Sequence, residues 1–246
     1  MSIDTARLPA RSSVRATASW LLGMNVYLAA WFWGMAIVVV TAAIVVITVV
    51  GEVNMSIMAF ARQGAVWFPF SVLIAITAAY LPVHVAAGLT RRSLALGSLV
   101  AALGTALAYS AAYCGLLLVE RAVFGALDWQ WRIFDDVPLA STDMATMLVS
   151  TVLLLVVADV SGLLVGISYQ RLGGWWGTLA LPLTAGPVVL AFAIFEVDAG
   201  PFSTSEWFGG ARPLLVASLA TLLIAGAMAF AFDRLTRGAS VPNRTA

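Results

Sequence analysis

Six stretches of this chain, residues 28–50, 66–87, 96–119, 146–167, 175–195 and 213–232, carry almost no ionisable side chains. Each is long enough to cross about 30 Å of hydrocarbon as a helix, which takes about 20 residues. No other feature constrains the fold so tightly. Lipid offers no partner to a backbone N–H or C=O, so a spanning segment must be a helix or a strand of a closed barrel. Barrel strands alternate in polarity over about ten residues, and these stretches do not alternate. Of 246 residues, 62% are hydrophobic and only 10% charged. That leaves too little polar surface to cover a water-soluble globule. The chain is therefore expected to be an all-α integral membrane protein with six transmembrane helices.

Arginine placement sets the expected orientation. All 13 basic residues are arginine, which points to the coding bias of a GC-rich bacterial genome rather than to chemistry. With the N-terminus inside, Arg7, Arg11, Arg15, Arg91, Arg92, Arg171, Arg234, Arg237 and Arg244 face the cytoplasm. Arg62, Arg121, Arg132 and Arg212 face outward, and cytoplasmic loops are the ones that favour Arg. The acids Glu52, Glu120, Asp128, Asp135, Asp136, Asp143, Glu196, Asp198 and Glu206 then all lie outside. Trp67, Trp129, Trp131, Trp175, Trp176 and Trp207 fall near span ends, where aromatic belts form. The expected location is a bacterial cytoplasmic membrane, with both termini inside.

Three regions follow. Residues 1–27 form a cytoplasmic N-terminus. There Trp20, Leu21, Met24, Tyr27 and Leu28 share one helical face, opposite Arg15, Ser19 and Gly23. This pattern predicts an amphipathic helix lying on the membrane surface, the alternative being a simple extension of the first span. Residues 28–232 form the six-helix transmembrane domain, and residues 233–246 a disordered cytoplasmic tail. The inner connections, at 88–93 and 170–174, are short. The outer segment at 120–145 is longer, with room for an interfacial helix and a loop.

Several chemistries are excluded by what is missing. There is no lysine and no Gly-rich loop ending in Gly-Lys-Ser/Thr, so the chain has no P-loop for ATP. His84 is the only histidine, which rules out bis-histidine haem ligation within one chain and leaves no His-based metal cluster. The single Cys114 cannot form an internal disulfide. A net charge of +1 gives no footprint for nucleic acid. The chain is not expected to be an enzyme, to bind a metal or to hold a cofactor.

Two intramembrane polar residues and one loop stand out. Asp159 is the only acid well inside a span, where a carboxylate costs about 2.5–3.5 kcal/mol on insertion scales. It reads either as a hydrogen-bonded structural group or as a polar spot on a transport route. A direct pair with His84 is disfavoured, because their depths differ by roughly 8 Å. Small residues recur four apart at Gly162/Gly166, Gly97/Ala101 and Gly104/Ala108, a spacing that lets helices approach closely within one chain or between two. Pro69, Pro82, Pro182 and Pro187 can bend spans two and five. In the loop Gly88, Leu89, Thr90, Arg91, Arg92, Ser93, the glycine fits a helix C-terminal cap and Thr90 the N-cap of a following short helix. The arginine pair is at the least a cytoplasmic anchor.

Six spans, an amphipathic segment before the first, and Ala87-Gly88-Leu89-Thr90-Arg91-Arg92-Ser93-Leu94 after the second resemble the permease subunits of type-2 ATP-binding cassette exporters. The resemblance implies that the 88–93 loop is a coupling helix docking on a separate ATPase subunit, with Arg91 and Arg92 as contacts. It also implies a second permease chain, identical or related, with the translocation route between the two. ATP and Mg would be bound by the ATPase partner alone. The cargo would be a lipid, a peptide or a hydrophobic drug-like molecule. Two features depart from the family pattern: the long 120–145 segment and the modest connection between spans five and six. The alternative function is a non-transport scaffold or sensor subunit of a membrane complex.

Overall fold

A computed structural model describes residues 10–53, 55–129, 131–133, 143–195, 197 and 213–238. Among these residues the chain is all-helical. It runs through α1 (Ala10–Val50), a 3-10 turn at Met58–Phe60, α2 (Ala61–Ala86), α3 (Arg91–Ala126), α4 (Met144–Leu179), α5 (Leu181–Thr184), α6 (Gly186–Ile194) and α7 (Leu214–Arg237). Five segments among the described residues are long and apolar enough to cross a membrane: Ser13–Val50, Met58–Ala86, Arg91–Ala126, Met144–Leu179 and Leu214–Arg237.

α4 is the central helix, packed by α2, α3, α7 and the α5–α6 segment. Its small residues explain that position. A Cβ on Gly162 would lie 2.5 Å from the Phe70 carbonyl oxygen, and one on Gly166 would lie 2.7 Å from that of Ile74. The two backbones therefore touch directly, and the glycine stripe is used inside this chain. The stripe on α3 is used the same way against α1, with Gly97 under Thr17 and Gly104 under Leu22. Several buried polar side chains turn back on their own helices, which satisfies them without solvent. Thr17 Oγ1 donates to Ser13 O at 2.8 Å, Asn25 Nδ2 to Leu21 O at 2.9 Å and Thr221 Oγ1 to Ala217 O at 2.8 Å.

Four expectations need revision. First, α1 does not end near residue 28. It is one helix of 41 residues, about 60 Å long at ~1.5 Å per residue and so about twice the hydrocarbon thickness. Its inward stripe is Ser13, Thr17, Leu21, Asn25, Ala29 and Trp33, a four-residue repeat that carries the same face past residue 28. Trp20, read as part of a membrane-lying face, instead stacks on Tyr80 of α2 with ring centroids 4.5 Å apart.

Second, residues 175–195 are not one helix. The chain turns at Gly173, whose φ of 77° and ψ of 177° suit glycine alone. It then continues as the last residues of α4, a break at Ala180, α5, a break at Ala185, and α6. Pro182 and Pro187 sit in the first turns after these breaks. Pro69 and Pro82, by contrast, lie within the unbroken α2.

Third, α3 runs on to Ala126, past the span end expected at residue 119 and into the 120–145 segment; residues 130 and 134–142 lie outside the described set. Fourth, residues 233–237 belong to α7 and not to a tail, while residues 239–246 lie outside the described set, as do 1–9.

Candidate functional site

The connection between α2 and α3, called inner after the side that arginine placement leads one to expect, gathers most of the residues singled out by sequence; the opposite end is called outer in the same sense. The geometry of the connection follows from two residues. Gly88 has φ +77°, the left-handed conformation that ends a helix most readily at glycine. Leu89 N–H then donates to His84 O at 3.2 Å and Gly88 N–H to Val85 O at 3.0 Å, the paired bonds of a Schellman cap. Thr90 starts the next helix: its Oγ1 accepts from Ser93 N–H at 3.1 Å. That helix is α3 itself. The short separate helix expected after Gly88 is absent, because α3 begins at Arg91 and leaves only a four-residue turn.

His84 fixes this turn from beneath. It is buried, and its Nε2 lies 3.1 Å from Ser93 Oγ. Ser93 Oγ donates its only proton to Thr90 O at 2.7 Å. His84 must therefore supply the proton of the first bond, which assigns the Nε2–H tautomer. The ring also meets Tyr80 at a tilt, with centroids 5.8 Å apart, and Tyr80 in turn stacks with Trp20 of α1. So α1, α2, the turn and the start of α3 are held as one body.

Arg91 and Arg92 open α3 at the positive end of the helix dipole, where a cation is unfavourable by about 0.3–1 kcal/mol. No acid accompanies them in the first turn. Three further arginines expected on this side serve helix ends, whereas Arg15 on α1 is exposed and has no partner among the described residues. Arg171 Nη1 donates to Leu235 O at 3.0 Å, Arg237 Nε pairs with Asp233 Oδ1 at 2.9 Å, and Arg234 lies over the Phe230 ring. Among the described residues, Arg91 and Arg92 have no such partner, and Arg92 is exposed.

Asp159 is not part of this site. The contacts of Gly162 with Phe70 and of Gly166 with Ile74 and Thr77 set the register of α4 on α2. By that register Asp159 lies about 20 Å from His84 along the helix axis, farther than the 8 Å expected. It is fully buried, and neither carboxyl oxygen has a hydrogen-bond partner among the described residues. Tyr109 of α3 is within electrostatic reach. The hydrogen bond that a structural role calls for is not provided here.

One residue of consequence carried no local signal. Glu120, buried on α3, receives Ser56 Oγ–H, Ile57 N–H at 3.0 Å, Met58 N–H at 2.9 Å and Trp131 Nε1–H at 3.2 Å. It thus caps the start of the α2 segment, an anion at a helix N-terminus. Arg121 lies over the Trp131 ring at 5.4 Å. In sequence Glu120 reads only as one more outer charge.

No protein-family model, curated protein or solved structure matches this chain.

Proposed function

We propose that this chain is the permease half of an exporter driven by a separate ATPase subunit, with six crossings and both ends in the cytoplasm. The broken segment 174–194 counts as the fifth crossing in this reading. Ser161 Oγ–H donates to Thr184 O, so the segment runs back along α4 after the turn at Gly173. An even number of crossings agrees with the arginine excess on one side. The cargo class stays as broad as the sequence leaves it: lipid, peptide or hydrophobic drug-like molecule.

The observation that carries the proposal is the contrast among inner arginines. Among the described residues, Arg91 and Arg92, in the first turn of α3 beside the exposed 87–90 turn, have no intramolecular partner, whereas Arg171 and Arg237 brace helix ends. A preorganised basic knob suits docking on an acidic surface of a partner, because little side-chain or loop order is lost on binding. A second reading, a non-transport scaffold or sensor subunit, draws support from the missing short helix: a four-residue turn offers a partner little area.

The test is capture of a nucleotide-hydrolysing subunit by the affinity-tagged chain from detergent-solubilised membranes of its own host. The expected outcome is an ATPase with a P-loop in the native preparation. Arg91→Glu with Arg92→Glu should abolish the capture while membrane level and melting temperature stay unchanged. Absence of any ATPase with the native chain sinks the proposal.

A further inference from the structure

The seam between α1 and α3 is closed at one end and open at the other. The two helices run in the same direction. Toward the inner end Gly97 and Gly104 of α3 let Thr17 and Leu22 of α1 press against the helix backbone. Toward the outer end the facing residues are bulky, among them Ile37, Thr41 and Val45 of α1 and Leu116, Val119 and Val123 of α3. There the seam opens into a cavity of about 310 Å³. Glu120 is the one ionisable residue on its wall, and that carboxylate is already held by four donors. The wall is otherwise nearly all apolar. Val45, Val119 and Val123 are exposed, so the groove lies open sideways to the membrane.

Farther out the same seam turns polar. A second cavity, of about 540 Å³, is lined in part by Thr48, Glu52, Asp128, Trp129 and Arg132. Thr48 follows Ile44 by four residues and Asp128 follows Phe124 by four, so about one helical turn, ~6 Å, separates the two cavities. Asp128, with φ 54°, turns the chain at the end of α3. Trp129 N–H then returns to Phe124 O at 2.9 Å, and its ring meets Phe124 edge-on with centroids 5.5 Å apart. Trp129 of the upper cavity thus rests on Phe124 of the lower one.

Among the described residues, Glu52 and Asp128 have no hydrogen-bond or ion-pair partner, while Arg132 has an interaction of its own. Two unanswered carboxylates against one arginine leave the mouth net negative, and the Trp129 ring adds a face that attracts cations. An anionic head is repelled by such a mouth, and a wholly apolar molecule leaves its carboxylates unused. We propose that the outer α1–α3 seam binds a single-chain amphiphile with an amine head, its ammonium on Glu52 and Asp128 and its alkyl chain in the groove below. This deepens the permease reading by narrowing the cargo to an amine-headed amphiphile. Transport of that molecule rests on the permease reading; its binding does not.

The test is photo-crosslinking of the full chain in phosphatidylcholine nanodiscs. The probe is a long-chain alkylamine with a diazirine in its tail, and the control is the alkyl sulfate with the same tail. The amine should label the α1 and α3 peptides around Thr41 and Val119 at least about tenfold more than the sulfate. Glu52→Gln with Asp128→Asn should bring the amine down to the level of the sulfate, with the melting temperature unchanged. Asparagine tolerates the left-handed turn, and each single variant should give part of the loss. Competition by lysophosphatidylethanolamine identifies an amine-bearing lipid as the source of the chemistry, and competition by dodecyltrimethylammonium a cationic drug-like amphiphile. Competition by neither overturns the proposal. So do equal labelling by amine and sulfate, which is ordinary lipid contact, and protection of the folded chain from both probes, which means another protein covers the seam. ATPase capture is scored separately. Labelling without a captured ATPase sinks the exporter and leaves the site; capture without selective labelling does the reverse.

Discussion

The two ends of the α2–α3 pair are closed by different means. At the inner end, Gly88, Thr90, Ser93 and His84 lie within ten residues of one another, and each bond is local. At the outer end, Glu120 reaches across 62 to 64 residues to Ser56, Ile57 and Met58 and shares its oxygens with Trp131. The inner closure is a short series of linked local bonds. The outer one is a hub, in which a single carboxylate satisfies two backbone groups and two side chains. The difference predicts how each fails: the inner turn loses stability in small steps, and the outer clasp loses it at once.

The hub gives the largest expected effect. Glu120→Ala leaves the Ser56 hydroxyl, the Ile57 and Met58 amides and the Trp131 indole without their acceptor. Each orphaned buried donor costs about 1–3 kcal/mol, partly relieved by water. A loss of roughly 3 kcal/mol is expected in thermal or chemical unfolding in detergent. Glu120→Gln, which keeps one carbonyl oxygen, should lose clearly less. If Glu120→Ala unfolds like the native chain, the outer end is not held by this residue and the comparison collapses.

A smaller effect is expected at the inner turn. Gly88→Ala places a side chain in the left-handed region, at about 1–2 kcal/mol. No atom lies within 4 Å of the added Cβ, so the penalty is backbone strain alone. The same unfolding measurement reads it. Gly88→Asn should recover part of the loss, because asparagine tolerates this conformation better than alanine does. A loss as large as that of Glu120→Ala would show that the inner turn is also a hub.

What was legible in the sequence follows from the same contrast. Span positions in α1 to α4 and α7 come from runs of apolar residues, and the caps at Gly88 and Thr90 from residue type and spacing. All of these are short-range signals. The α1 boundary misled because the face that packs on α3 mixes polar Thr17 and Asn25 with apolar Leu21 and Ala29, so polarity does not mark it out. The fifth span misled because hydropathy does not register backbone geometry: Pro182 and Pro187 break a segment as apolar as its neighbours, whereas Pro69 and Pro82 leave α2 whole. Glu120 was invisible because its meaning lies in Ser56, Ile57 and Met58, and nothing in a single sequence pairs them.

Asp143 separates two versions of the comparison: whether the divide is inner against outer, or local against long-range. It belongs to the outer end yet acts locally. Its carboxylate caps α4, accepting from Ala145 N–H at 3.1 Å, Thr146 N–H at 3.2 Å and Thr146 Oγ1–H at 2.6 Å. The Thr146 hydroxyl, then these amides, hold the exposed carboxyl below the ordinary aspartate value. A group whose folded value is depressed stabilises the fold at pH above its unfolded value, and that contribution fades as pH falls through the folded one. Amide exchange at Ala145 and Thr146 should therefore accelerate only below the ordinary aspartate range, and the acid-dependent part should vanish in Asp143→Asn. The effect should stay confined to the first turn of α4, as expected of an exposed local cap and not of a hub. If acid loosens Ser56 to Met58 as well, the outer end behaves as one unit, and location rather than sequence distance decides how a closure fails.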